Sequence, residues 1–142
     1  MLVKERSGEA TAMAPIKPQQ EERLLHFRRV FTKPGVHPFD QIKWERRKAS
    51  ISNEKGEVIF EHPDVEVPVS WSMMATNVVV SKYFRRSSDG SGRETSVRQL
   101  VGRVVDAISH WGREGGYFAS EEEADTFEAE LCHLLVEQKA AF

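Results

Sequence analysis

The spacing of apolar residues divides this chain into segments of different period. Residues 1 to about 22 mix Lys, Glu, Gln and Ala with Pro15 and Pro18 and keep no steady period. That predicts a mobile N-terminal arm ahead of a domain over 23–142. Leu24, Leu25, Phe27, Val30 and Phe31 could make a short helix, although it is brief and badly capped. Pro34-Gly35 and Pro38 then force turns, because proline fixes φ and restricts the residue before it. Ala49, Ile51, Val58 and Phe60 flank Asn53-Glu54-Lys55-Gly56. Gly56 can take positive φ without steric cost, so the tetrapeptide reads as the connection of a β hairpin over about 44–61. Trp44, Arg46, Lys48 and Ser50 would alternate along its first strand. A lone two-stranded ribbon is marginal in water and must lie on something else.

From Ser70 the period becomes helical. Trp71, Met74, Val78, Tyr83 and Phe84 recur at helical intervals, which predicts a helix over about 70–85 with Ser70 as its cap. The β-branched run Val78-Val79-Val80 leaves a strand open, but the segment is too long for one strand. Arg85 to Glu94 is a polar, Ser/Gly-rich loop. Val97, Leu100, Val101, Val104, Val105, Ile108 and Trp111 then form one broad stripe and predict a helix over about 95–111. Gly102 inside it costs about 1 kcal/mol relative to alanine, which points to a close helix contact. Ser120-Glu121-Glu122-Glu123 is a capping box with three acids at the positive end of the next helix dipole, over about 120–141. Ala124, Phe127, Leu131, Leu134 and Leu135 carry its stripe. No Gly, Asn or Pro closes it before Phe142, so the pattern predicts a helix broken off in mid-stripe. The whole is a mainly α domain with a β hairpin, an α+β arrangement.

Composition narrows the function classes. At 142 residues there is room for one ordinary domain, and 39% hydrophobic against 30% charged residues excludes wholesale disorder. Lys+Arg 20 against Asp+Glu 22 gives a net charge of −2, without the basic excess that nucleic acid or a membrane surface demands. No apolar run approaches the roughly 20 residues of a bilayer span, and MLVKERSGEATAMAP lacks the apolar stretch of a secretory signal. A soluble, cytoplasmic chain is expected, with neither nucleic acid nor membrane as partner. The single cysteine, Cys132, cannot form an internal disulfide or a Cys-rich zinc site.

Each candidate for chemistry has a plainer explanation. Gly112-Arg113-Glu114-Gly115-Gly116 resembles a phosphate cradle in composition, but its glycines leave a helix instead of leading into one. Asp106 and His110 share a helix face at metal-chelating spacing without an evident third ligand. His37, His62 and His133 are scattered, so spacing supports no nucleophilic triad. Cys132 lies beside an apolar stripe near Glu128 and Glu130, which suits an inert thiol. Arg85, Arg86 and Arg93 bracket a loop that could touch phosphate, but Asp89 and Glu94 dilute its charge. No catalytic, cofactor-binding or metal-binding residue is assigned.

Resemblance says more. FTKPGVHPFD, IKWERRKASISNEKGEVIFEHPDVEVPVSWS, TNVVVSKYFR, SVRQLVGRVVD, WGREGGYF and LLVEQKAAF occur together and in order. Over about residues 30–142 the chain resembles the N-terminal region of class II, adenosylcobalamin-dependent ribonucleoside-diphosphate reductases. The resemblance implies an oxidoreductase that makes deoxyribonucleotides for DNA synthesis or repair. Homolysis of the cofactor's cobalt–carbon bond generates a thiyl radical, and a cysteine pair, re-reduced by a thioredoxin-like donor, supplies the electrons. It also implies that this helical domain normally precedes a ten-stranded catalytic α/β barrel absent from this chain. Three catalytic thiols cannot come from one cysteine, so the chain alone is expected to be inactive. Its expected partner is that barrel, in cis or in trans, met through apolar faces around Trp71, Trp111, Phe118 and Phe142. Ribonucleotide and reductant are expected to engage only the complete enzyme. The alternative is a stand-alone interaction module that associates with or regulates a complete reductase.

Overall fold

A computed structural model describes residues 24–140, so the arm expected over 1–22 and Phe142 lie outside the described residues. A β hairpin is the platform. Strands β1 (Trp44–Ser52) and β2 (Val58–Pro68) pair antiparallel. Asn53 builds the turn: its carbonyl accepts the Gly56 N–H at 2.9 Å, and its side-chain oxygen accepts the N–H groups of Lys55 and Glu57 at 3.0 and 2.9 Å. Gly56 takes φ +82°, the left-handed region the turn requires. The second strand continues past the expected limit at 61 to Pro68. Pro63 concealed this extension. It sits where the register shifts between the pairs Arg47↔Val65 and Ala49↔His62, and such a bulge tolerates a missing N–H. Beyond it, Val65 and Val67 are wholly buried.

Helix α1 (Met73–Lys82) lies on this platform and is shorter than the 70–85 expected. Ser72, not Ser70, caps it, accepting the Ala75 N–H at 3.0 Å. Arg47 fastens the helix start to β1. Its guanidinium donates to the carbonyls of Trp71 and Val69 at 2.6 and 3.0 Å and to the Thr76 hydroxyl at 3.0 Å, and it pairs with Glu45. The Ser50 N–H donates to the Asn77 side-chain oxygen at 3.1 Å.

Helices α2 (Val97–Glu114) and α3 (Glu121–Val136) pack on each other beside the hairpin. The first runs a turn beyond the expected 111. It opens with a capping box of Ser96 and Gln99, and its start is tied to β2 by Glu66, which accepts from the Ser96 hydroxyl at 2.6 Å and Arg98 at 2.9 Å. Ser120 caps α3 as expected, accepting the Glu123 N–H at 3.2 Å.

The end of α3 departs from expectation. The helix stops at Val136, not near 141. The Gln138 N–H donates to the Leu135 carbonyl at 3.1 Å, the Lys139 N–H to the Leu134 carbonyl at 2.8 Å, and Gln138 takes φ +56°. This is a Schellman closure with glutamine in the place glycine usually holds. The helix is finished, not broken off. Residue type alone hid the closure.

The core lies between the hairpin and the three helices: Ala49, Val65 and Val67 from the sheet, Val80 from α1, Val97, Val101 and Val105 from α2, and Cys132 and Val136 from α3. Trp71 joins it, and its buried indole N–H donates to the Val136 carbonyl at 2.8 Å. Residues 24–32 are not helical but form a strap along α3. The Leu25 N–H donates to the Tyr117 carbonyl at 2.8 Å, and the Phe27 ring packs on Phe118 and Phe127 at 5.9 and 4.9 Å, which also meet each other at 5.3 Å.

Candidate functional site

Two acidic residues of α3 hold the strap. Glu123 accepts the Phe27 N–H at 2.6 Å. One Glu130 oxygen accepts the N–H groups of Val30, Phe31 and Thr32 at 3.1, 3.1 and 3.0 Å, and the Thr32 hydroxyl at 2.6 Å. Burial alone would raise the pKa of Glu130, but these donors outweigh it and hold the carboxyl below its ordinary value. Phe31 stacks on His133 at 4.8 Å, and Arg29 donates to Thr32 and Thr126 at 2.8 and 3.2 Å. The carboxylates are consumed by this clamp, so it anchors chain and offers no free base.

The remaining sequence candidates are similarly engaged. Gly115 closes α2 and Gly116 takes φ +64°, so these glycines end a helix, as the sequence indicates. Gly112 is glycine because a Cβ there would stand 2.5 Å from the Phe118 ring. Gly102 differs from expectation: a Cβ there meets nothing within 4 Å, so no close helix contact accounts for it. It opens on a cleft of about 270 Å³ between residues 33–39 and the two long helices. His110 pairs with Glu114 at 3.3 Å instead of converging with Asp106. Among the described residues no three His, Cys, Asp or Glu side chains are grouped to hold a metal. His37 accepts the Phe39 N–H at 3.1 Å, and His62 stands edge-on to Phe84 at 6.4 Å. Burial, with Glu128 and Asp106 nearby, pushes the Cys132 thiol up to about 12. At neutral pH it is a packed, protonated side chain.

The Arg85–Arg93 loop is ordered from within. Arg86 and Arg93 form an antiparallel bridge, and Asp89 accepts the Ser91 N–H at 2.9 Å. Glu94 binds the Arg85 N–H at 2.8 Å and Arg103 at 2.9 Å. Arg93 lies over the Phe60 ring at 5.3 Å.

What remains unaccounted for is apolar surface. Met73, Met74 and Val78 of α1 are 49%, 78% and 46% exposed, and Thr76 and Val80 are the α1 residues that are buried. The stripe expected at Met74 and Val78 therefore faces outward. Beside it lies a second cleft of about 270 Å³, walled by Val79 and Tyr83 of the α1 region, Leu100 and Val104 of α2, and Leu135 and Ala140 at the end of α3. The faces expected to meet a partner divide accordingly. Trp71 is buried at the back of this cleft, and Phe118 is spent on the internal aromatic cluster. Trp111, read as part of the α2 stripe, is 64% exposed. The buried ridge is Val97, Val101, Val105 and Ser109, and Trp111 projects about 100° away from its centre.

A helical domain with a hairpin and an apolar face that the described residues leave uncovered has the character of one part of a larger protein. Comparison with known proteins makes this specific. The family model for class II vitamin B12-dependent ribonucleotide reductase matches residues 45–138. The chain belongs to that family. It is 44% identical over 119 residues to the vitamin B12-dependent ribonucleotide reductase of Streptomyces clavuligerus, covering 83% of this chain and 12% of that protein. The protein of the same name from Rhodopirellula baltica is 47% identical over 109 residues, covering 76% and 10%. That from Agrobacterium fabrum is 29% identical over 150 residues, covering 82% and 12%. The chain thus spans about a tenth of the length of the curated relatives it matches, in their N-terminal portion.

The two clefts do not fit the B12 group of this family. At about 270 Å³ each they fall below the roughly 300–1,000 Å³ of pockets for drug-sized ligands, and a corrin is larger than such ligands. A wider recess, about 680 Å³, lies open over the arginine loop. No helix among the described residues is long and apolar enough to cross a membrane.

Proposed function

We propose that this chain acts as the N-terminal domain of an adenosylcobalamin-dependent ribonucleotide reductase, a cytoplasmic enzyme that makes deoxyribonucleotides for DNA synthesis. The match over residues 45–138 carries this reading. Radical chemistry, ribonucleotide and a thioredoxin-like donor belong to the catalytic barrel, which this domain covers and supports. On its own the chain turns nothing over, because its one thiol is buried and held protonated.

The test is a chimaera in which this chain replaces the aligned 119 residues of the Streptomyces clavuligerus protein. The chimaera is expected to reduce ribonucleotides with added adenosylcobalamin and dithiol, and the isolated chain to show no turnover. An inactive chimaera beside an active parent would remove the reading. An inactive chimaera, together with an isolated chain that alters the rate of a complete reductase, would favour a stand-alone regulatory module.

A further inference from the structure

We infer that the outer face of α1, with the cleft between Tyr83, Leu100 and Leu135, is the surface on which the remainder of the reductase polypeptide docks. The inference rests on the proposed role as the leading domain of such an enzyme and names the surface that performs it.

Four observations carry it. The α1 sequence MMATNVVVSK holds one charged residue, Lys82, and carries apolar side chains on the side packed inward (Val80) and on the opposite one (Met74, Val78). A helix apolar on two opposite sides is normally covered on both, yet the described residues cover one only. Loss of charge marks the centre of protein interfaces, and aromatic and methionine side chains are enriched there. The cleft alongside is apolar, with the ring of Tyr83 at its rim and Trp71 at its back, a shape that takes an anchoring apolar side chain. Finally, the Schellman turn after α3 places Ala140 in the wall of this cleft. Relatives of which this chain matches a tenth continue beyond that point, so their next residues leave from the cleft's edge. The occupant is therefore an apolar surface of that downstream polypeptide. Other exposed apolar side chains, Val58 with Ile59 on the hairpin and Trp111 in the last turn of α2 with Tyr117 just after it, have no such connection.

The experiment uses the chimaera and the isolated chain, each carrying Val78→Cys or Ile59→Cys. Maleimide labelling is read by peptide mass at the introduced position, whether or not the chimaera turns over. Val78→Cys is expected to label at least tenfold more slowly in the chimaera than in the isolated chain, and Ile59→Cys equally in both. Equal labelling of Val78→Cys in both would overturn the inference, even in an active chimaera. Protection in the isolated chain that grows with concentration would assign the face to a second copy and also overturn it. An inactive chimaera with Val78→Cys protected would remove the catalytic reading and leave the docking face standing. As a second measurement, Met74→Glu with Val78→Glu is expected to lower chimaera activity at least tenfold while leaving the isolated chain's Tm unchanged. Unchanged activity in that variant would count against the inference.

Discussion

Helices α1 and α3 both carry apolar surface that the hairpin does not cover, and the chain treats them differently. Over α3 it lays its own strap: Phe27 packs on both Phe118 and Phe127, and Glu123 and Glu130 bind five backbone and side-chain donors of residues 27–32. Over the outer face of α1 the described residues lay nothing, and Met74 stays 78% exposed. The same fold thus completes one helix with its own residues and leaves a face of the other open. On the docking proposed above, that open face is a boundary between parts.

Four changes sharpen that contrast. Phe27→Ala removes a half-buried ring from the aromatic cluster and is expected to cost about 2–3 kcal/mol in chemical denaturation of the isolated domain. Glu130→Gln replaces a charged acceptor by a neutral one and should free the strap by about 1–2 kcal/mol, read as faster amide exchange at Val30–Thr32. Because the folded pKa of Glu130 is depressed, its contribution is complete above the unfolded carboxyl value of about 4.3. It is lost as pH falls through the folded value, so wild-type protection factors at these amides, taken against intrinsic exchange at each pH, should fall on acidification and those of the variant should not. Gln138→Gly relieves a left-handed glutamine and is expected to stabilise by about 0.5–1 kcal/mol, seen as a raised Tm. Met74→Ala, on the uncovered face, should stay within about 0.5 kcal/mol of wild type. A Met74→Ala cost equal to that of Phe27→Ala would erase the contrast.

Local chemistry was readable and long-range chemistry was not. The Asn53–Gly56 turn, the Ser120 cap and the apolar ridge of α2 follow from residues within one turn of one another. The strap does not: its helix-like spacing at Leu24–Phe31 is overruled by carboxylates nearly a hundred residues away, which satisfy its N–H groups without a helix. Trp111 was misread because Leu100 and Val104 suggest a stripe centre rotated away from the buried Val97–Val101–Val105 line. The outer face of α1 was half-legible. Met74 and Val78 stood out as apolar at helical spacing, but the pattern did not say which side of the helix is covered. Which side of α1 meets the hairpin depends on Arg47, Thr76 and Asn77, whose pairing only the fold reveals.

The indole of Trp71 binds the carbonyl of Val136, so the turn that launches α1 and the last residue of α3 are pinned together. Two elements whose joined residues stand 65 apart in the chain thus share a single fastening, and losing that indole N–H would unfasten both at once.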